Sequence, residues 1–178
     1  MSKAGVACVG VVALLLSSCK LVRNPPTAEA GTAASSSSPV TSIASLPKGQ
    51  TVGLPKLKGD ALLNLERIGE TWSPTIKQPV AVAADRLEFY GWAVDEAAKT
   101  LAAGVDITID GVPYSAGYGI FRGDVADYLK RPAYKDSGFL LTVPAGAVTR
   151  GRHQATVRVV SKDGKGYQEI APVLFDVK

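Results

Sequence analysis

The stretch GVDITIDG, residues 104–111, alternates apolar and polar side chains and ends in an Asp-Gly pair. Val105, Ile107 and Ile109 fall on one side of an extended chain, and the polar residues fall on the other. This period of two is typical of a β-strand with one buried and one solvent-facing side. The stretch therefore predicts a half-buried strand with Asp106 on its solvent side, followed by a tight turn.

Six further segments alternate in the same way or form short apolar runs: ALLNLERIG (61–69), PVAVAAD (79–85), RLEFYGWAVD (86–95), GFLLTVPAG (138–146), HQATVRVVSKDG (153–164) and VLFDVK (173–178). Turn residues separate most of them. Seven or so short strands at this spacing predict an all-β fold, an antiparallel sandwich. One helical turn is expected at 124–130, capped by Asp124, with Val125, Tyr128 and Leu129 on one face.

The N-terminal segment has the composition of a signal peptide. An apolar run at 4–16 follows a short basic start, and it is too short to span a bilayer, which takes about 20 apolar residues. The small residues Ser17 and Ser18 and then Cys19 follow the run. A plain secretory signal with an incidental cysteine and a cytosolic apolar N-terminus are the alternatives.

The order Leu16-Ser17-Ser18-Cys19 resembles the bacterial lipobox. The resemblance implies a signal peptide at 1–18, cleavage between Ser18 and Cys19, and attachment of acyl chains such as palmitate to the Cys19 sulfur. Two or more acyl chains anchor a protein stably where one does not. The expected location is the bacterial cell envelope. Residue 20, directly after the cysteine, is Lys and not Asp. This resembles the sorting signal of enteric lipoproteins that go to the outer membrane, so the outer membrane is the expected location.

Residues 19–58 are rich in Ala, Ser, Thr, Pro and Gly and carry few large apolar side chains, which predicts a disordered tether. The sandwich domain is expected at 59–178. Residues 20–58 carry five Lys or Arg against one Glu, whereas 59–178 carry fourteen against fifteen Asp or Glu. The nearly neutral domain lacks the basic excess that nucleic-acid binding requires, so no nucleic-acid partner is expected.

A second resemblance covers the chain from about residue 62 onward. The motifs GWAVD (91–95), VDITIDG (105–111), GYGIFRGDVADY (117–128), SGFLLTVPAG (137–146) and GRHQATVRVVSKDG (151–164) are similar, in this order, to a bacterial immunoglobulin-like domain. The resemblance implies an immunoglobulin-like sandwich that serves as an accessory module. Gly123 departs from the family pattern, which has proline there.

The candidate binding or loop-anchoring residues are Trp92, Tyr90, Tyr118, Arg122 and Asp124. An exposed aromatic face could stack on a sugar or a partner, whereas Trp92 could equally lie in the core. The family resemblance implies that Arg122 and Asp124 fix a long loop through charge-assisted hydrogen bonds. The two residues also enclose the tripeptide RGD, which leaves receptor adhesion as an alternative.

Neither a metal site nor a catalytic site nor a cofactor is expected. Both cysteines lie in the first nineteen residues, and His153 is the single histidine. His153 is expected to be partly buried and bonded to a backbone group. The chain is interpreted as a membrane-anchored, non-catalytic module whose partner is another envelope protein. The alternatives are a carbohydrate-binding module near the cell wall and a hydrolase with an unrecognised site.

Overall fold

The computed structural model describes residues 43–59, 61–85 and 87–178. The predicted signal peptide, the motif that ends in Cys19 and most of the predicted tether lie outside these residues. The described elements are β1 (Leu62–Ile68), β2 (Thr71–Trp72), β3 (Val80–Val82), β4 (Leu87–Val94), β5 (Gly104–Ile109), β6 (Val112–Ser115), β7 (Gly117–Ile120), α1 (Gly123–Tyr128), β8 (Gly138–Val143), β9 (Gly151–Val160), β10 (Tyr167–Glu169) and β11 (Val173–Val177), with 3₁₀ turns at Ile43–Ser45 and Pro132–Tyr134.

The strands form two sheets. The first sheet has the order β2-β1-β4-β8-β7, and the second has the order β3-β11-β9-β5-β6 with β10 paired to the end of β9. Neighbouring strands are antiparallel except for β3 and β11, which run parallel. The prediction of an all-β sandwich is confirmed, and α1 is the single α-helix among the described residues.

The core lies between the sheets and follows the predicted alternation. Phe139, Leu141 and Val143 on β8 are buried on one side of their strand, as predicted. Phe89 of the first sheet meets Phe175 of the second edge to face, with ring centroids 5.7 Å apart. Such aromatic pairs contribute about 0.5–1.5 kcal/mol beyond the apolar area that they bury. All seven predicted strands are present, and the very short β2, β6, β7 and β10 were not predicted.

The prediction that residues 43–58 belong to a disordered tether is wrong. Residues 46–57, which we call the strap, lie along the second sheet and form one compact unit with it. The Ser115 amide donates to the Pro47 carbonyl at 2.9 Å, and the Gly49 amide donates to the Pro113 carbonyl at 3.0 Å. These bonds cover the free edge of β6, which would otherwise expose unpaired backbone groups.

Beyond β6, the strap continues to β10. The Leu57 amide donates to the Tyr167 carbonyl at 2.7 Å, and Lys56 pairs with Glu169 at 3.0 Å. Low sequence complexity concealed this segment because much of its order comes from backbone hydrogen bonds and one buried carboxylate, and its few leucines, such as Leu46 on the main core, follow no period.

The prediction that Asp106 faces solvent is also wrong. Its side chain is fully buried, and its carboxylate accepts hydrogen bonds from the Gln50 amide at 3.0 Å and from the amide and hydroxyl of Thr51, each at 2.7 Å. The strap therefore covers the side of β5 that the sequence assigned to water. A side chain added at Gly49 would meet Pro113 and the Asp106 carboxylate at 2.6 to 2.7 Å, so only glycine lets the strap approach this closely.

Candidate functional site

The candidate site is an open cleft on the outer face of the first sheet, next to α1. Its first part has a volume of about 710 Å³ and lies between the β2–β3 connection and Arg122. A second part of about 690 Å³ continues over α1. Both parts share Asn64, Glu66, Arg122 and Asp124 as lining residues, so they form one continuous surface.

Arg122 forms the floor of the cleft and is only 8% exposed. Its guanidinium donates to both carboxylate oxygens of Glu66, at 2.8 and 2.9 Å. It also donates to both oxygens of Asp124, at 2.9 and 2.7 Å. Two bidentate pairs on one guanidinium are the geometry for which arginine is suited and lysine is not.

The backbone around Arg122 holds this geometry in place. The Arg122 amide donates to the Lys135 carbonyl, which ties the start of α1 to the connection that leads into β8. A side chain at Gly138 would come within 3.0 Å of the Arg122 Cγ atom and of Ile120. Glycine at 138 therefore leaves the space through which the Arg122 side chain reaches Glu66 on β1.

Asp124 lies inside the first turn of α1 instead of capping it, so the predicted cap is wrong. The residue at the N-cap is Arg122, and its side chain makes no capping hydrogen bond. The Asp124 carboxylate pairs with Arg122, which lowers the pKa of Asp124 and raises the pKa of the Arg122 guanidinium. Both groups therefore stay charged at neutral pH, and the predicted loop-fixing pair is present in the structure.

The arginine of the RGD tripeptide lacks the exposure that receptor adhesion requires, although the Asp124 side chain is exposed. Arg122 is buried, and its donors are bound to Glu66 and Asp124 within the same chain. Presenting the tripeptide to a receptor would break both pairs. The adhesion alternative is therefore set aside.

The ring of Tyr90, a lining residue of the cleft, has two cations close to it. The Arg122 guanidinium carbon is 5.7 Å from the centre of the Tyr90 ring, and the Arg67 guanidinium carbon is 5.8 Å from it. Attraction between a cation and an aromatic face is typical at such distances. Tyr90 is half-buried and lines the floor of the cleft together with Arg122.

Trp92 packs under α1. It is 8% exposed and forms a small apolar cluster with Val94, Val125 and Tyr134, separate from the main core. The helix and the 3₁₀ turn at Pro132–Tyr134 supply the covering side chains. Trp92 therefore anchors the loop that carries Arg122 and presents no exposed ring face.

Tyr118 lies on β7, and its hydroxyl group holds two backbone groups in place. Its hydroxyl donates to the Ala93 carbonyl at 2.7 Å and accepts from the Ala102 amide at 3.2 Å. Burial raises the pKa of Tyr118 to about 12. The tyrosine links β7 to β4 and to the β4–β5 connection, and it does not line the cleft.

The rim of the cleft consists of apolar side chains that sequence reasoning missed or placed elsewhere. Trp72 is 56% exposed, Ile76 82%, Phe121 69% and Tyr128 80%. The prediction that Tyr128 packs on the buried face of α1 is wrong, whereas Val125 and Leu129 do pack there. The signal that could have found Trp72 and Phe121 is a large aromatic residue in a segment without alternation, where no buried strand face accounts for it.

His153 and Asp110 form a pair at the opposite side of the sandwich. One ring nitrogen of His153 lies 2.7 Å from Asp110 and the other 2.8 Å from the Thr149 carbonyl. Burial lowers the pKa of His153, but the bonds to Asp110 and Thr149 outweigh that effect and raise it. With both nitrogens bound, the ring is held in place as a structural group, and the predicted backbone bond is confirmed. Among the described residues, no group of three or more His, Cys, Asp or Glu could hold a metal ion.

Comparisons with protein-family models and with curated proteins found no match. The resemblances to a lipobox and to an immunoglobulin-like domain stay predictions. No helix in the described ranges is long and apolar enough to cross a membrane.

Proposed function

We propose that this chain is a lipid-anchored lipoprotein of the bacterial envelope whose sandwich is a non-catalytic module that docks another envelope protein through the cleft. The lipobox-like order at Leu16 to Cys19 supports the anchor. The exposed rim of Trp72, Ile76, Phe121 and Tyr128 supports the docking surface, and it is the observation that carries the proposal.

The rim differs from isolated exposed apolar residues, which are common on protein surfaces. Four large side chains line one concave surface, while other exposed apolar residues such as Val112 and Leu174 lie on strands of the second sheet. Large exposed aromatic side chains gathered on one concave surface favour a protein–protein contact, because tryptophan and tyrosine are among the residues that contribute most of the binding energy in such contacts.

The charged floor favours a protein over a glycan. A sugar site needs donors and acceptors that are free to bond hydroxyl groups. Arg122 already donates four hydrogen bonds to Glu66 and Asp124. The aliphatic Ile76 on the rim suits an apolar side chain better than a hydroxyl-rich ring. The exposed faces of Trp72 and Phe121 still make a carbohydrate-binding module the second candidate, because sugars stack on such faces.

Crosslinking in intact cells tests the docking surface. A photoreactive phenylalanine analogue at position 121 should yield one discrete protein adduct, and the same analogue at the exposed Leu174 should not. When the protein that carries the analogue at position 121 also carries Trp72→Ala, the adduct should fall strongly. Truncating a hot-spot aromatic costs about 2 kcal/mol or more, which is roughly 30-fold in affinity.

Equal adducts at positions 121 and 174 would contradict the docking proposal. A position-121 adduct that disappears on digestion of the cell wall with a muramidase would favour the glycan candidate instead.

The anchor is tested by Cys19→Ala. The substituted protein should lose its acyl chains, keep its uncleaved precursor mass or leave the membrane fraction, and stop incorporating a labelled fatty acid. Cys8→Ala is the matched control and should change none of these. Membrane fractionation and mass unchanged by Cys19→Ala would refute the anchor, whatever the cleft binds.

A further inference from the structure

The cleft carries one more negative than positive charge. Glu66 and Asp124 are its carboxylates, and Arg122 is the single cation among its lining residues. One guanidinium therefore serves two carboxylates. The Asp124 side chain is 66% exposed, whereas that of Glu66 is 17% exposed, so the uncompensated charge is accessible from solvent at Asp124.

Aromatic rings border the same charge. Trp72, Tyr90 and Phe121 line the part of the cleft that Asp124 also lines. Tyr90 already interacts with two guanidinium groups of the chain itself. Trp72 and Phe121 are more than half exposed, so their faces are available to a group from outside. An aromatic face beside a carboxylate attracts a cation through both the ring quadrupole and the full charge.

We propose that the cleft takes an arginine or lysine side chain of the partner protein, bound beside the carboxylate of Asp124 and against the exposed faces of Trp72 and Phe121. The proposal rests on the proposed function, because it names the chemistry that the docked protein presents. Apolar side chains flanking that cation would lie on Ile76 and Tyr128 at the rim.

The charge argues against a lipid surface as the occupant. Exposed tryptophan and phenylalanine also occur on surfaces that insert into membranes, but such surfaces carry lysine and arginine toward anionic headgroups. In this cleft the accessible charge is a carboxylate, which anionic headgroups repel. The same carboxylate attracts a basic protein segment.

Two peptides that differ only in charge test the proposal. The probes are acetyl-Leu-Arg-Leu-amide and acetyl-Leu-citrulline-Leu-amide, since citrulline is a neutral isostere of arginine. They are titrated into ¹⁵N-labelled chain beginning at residue 19 and carrying Cys19→Ser. The Trp72 indole resonance reports the result, and the backbone amide of Leu174 on the second sheet is the internal control. The arginine peptide should shift the Trp72 indole saturably and bind at least about threefold more tightly than the citrulline peptide.

Asp124→Asn should remove most of this preference, measured as the ratio of the two peptide affinities in the same variant. Phe121→Leu should weaken the arginine peptide more than the citrulline peptide, because it keeps apolar contact and removes the ring face. Equal affinity for the two peptides would overturn the cation proposal and leave protein docking intact. The proposal would be overturned in favour of a membrane surface if the Trp72 indole resonance did not shift with either peptide but broadened with vesicles of phosphatidylcholine and phosphatidylglycerol.

Discussion

Asp106→Ala is expected to destabilise the sandwich by about 3–4 kcal/mol, which exceeds the loss expected for most single substitutions in a folded domain. Three donors of the strap, from Gln50 and Thr51, end on the Asp106 carboxylate. Removing the carboxylate leaves the two buried donors of Thr51 and the partly buried backbone amide of Gln50 without an acceptor. Each unsatisfied buried donor costs about 1–3 kcal/mol. The chain can avoid part of that cost only by releasing the strap into water.

Release of the strap has its own cost. The edge of β6 then loses its bonds to Pro47 and Gly49, and the side of β5 that carries Asp106 becomes exposed to water. Thermal unfolding of the variant should show a melting temperature lower by about 10 °C or more, at about 4 °C per kcal/mol for a domain of this size. Hydrogen exchange should show the amides of Gln50 and Thr51 losing protection before the core strands do.

The matched control is Asp127→Ala, which removes an exposed carboxylate on α1 and should change stability by at most about 0.5 kcal/mol. The loss of stability caused by Asp106→Asn should lie between those of Asp106→Ala and Asp127→Ala, because the amide keeps one acceptor oxygen and cannot serve all three donors. A chain truncated to begin at residue 59 should be destabilised at least as much as Asp106→Ala. If the Asp106→Ala variant has the same melting temperature as the native protein, residues 46–57 do not stabilise the domain.

Arg122→Ala is expected to cost about 2–3 kcal/mol. It leaves the mostly buried Glu66 carboxylate unpaired and frees the start of α1 from β1. Breaking a fully buried pair by removing one partner costs about 3–5 kcal/mol, and partial exposure of Glu66 and Asp124 reduces that figure. Arg122→Lys should recover less than half of the loss, because an ammonium group cannot make two bidentate pairs.

Arg152→Ala provides the matched control for charge and geometry. Arg152 makes a bidentate pair with Asp176, at 2.9 and 3.1 Å, but its side chain is 61% exposed. Exposed pairs contribute at most about 1 kcal/mol, so this variant should melt close to the native protein. Asp124→Ala should also cost at most about 1 kcal/mol, since the other partner, Glu66, remains. Equal melting temperatures for Arg122→Ala and Arg152→Ala would refute the structural role of Arg122.

Alternation along the sequence determined the strands, because a strand with one buried side repeats its chemistry every two residues. The seven segments that alternate or run apolar became β1, β3, β4, β5, β8, β9 and β11. The pairing of Arg122 with Asp124 also followed from sequence, through a family resemblance. The short strands β2 and β10 carried no such pattern, because neither Thr71–Trp72 nor Tyr167–Glu169 has the apolar pair two residues apart that Val80 and Val82 give β3.

Only the tertiary structure decided what covers each polar or aromatic side chain. Alternation separates the two sides of β5 but does not say that residues 49–51 fold back over the side that carries Asp106. In the same way, composition treats Trp72 and Trp92 alike, yet α1 covers Trp92 and nothing among the described residues covers more than half of Trp72. Burial is set by segments that are distant in sequence. Whether a carboxylate becomes a structural acceptor, or an aromatic ring stays exposed as a binding surface, depends on whether such a segment packs over it.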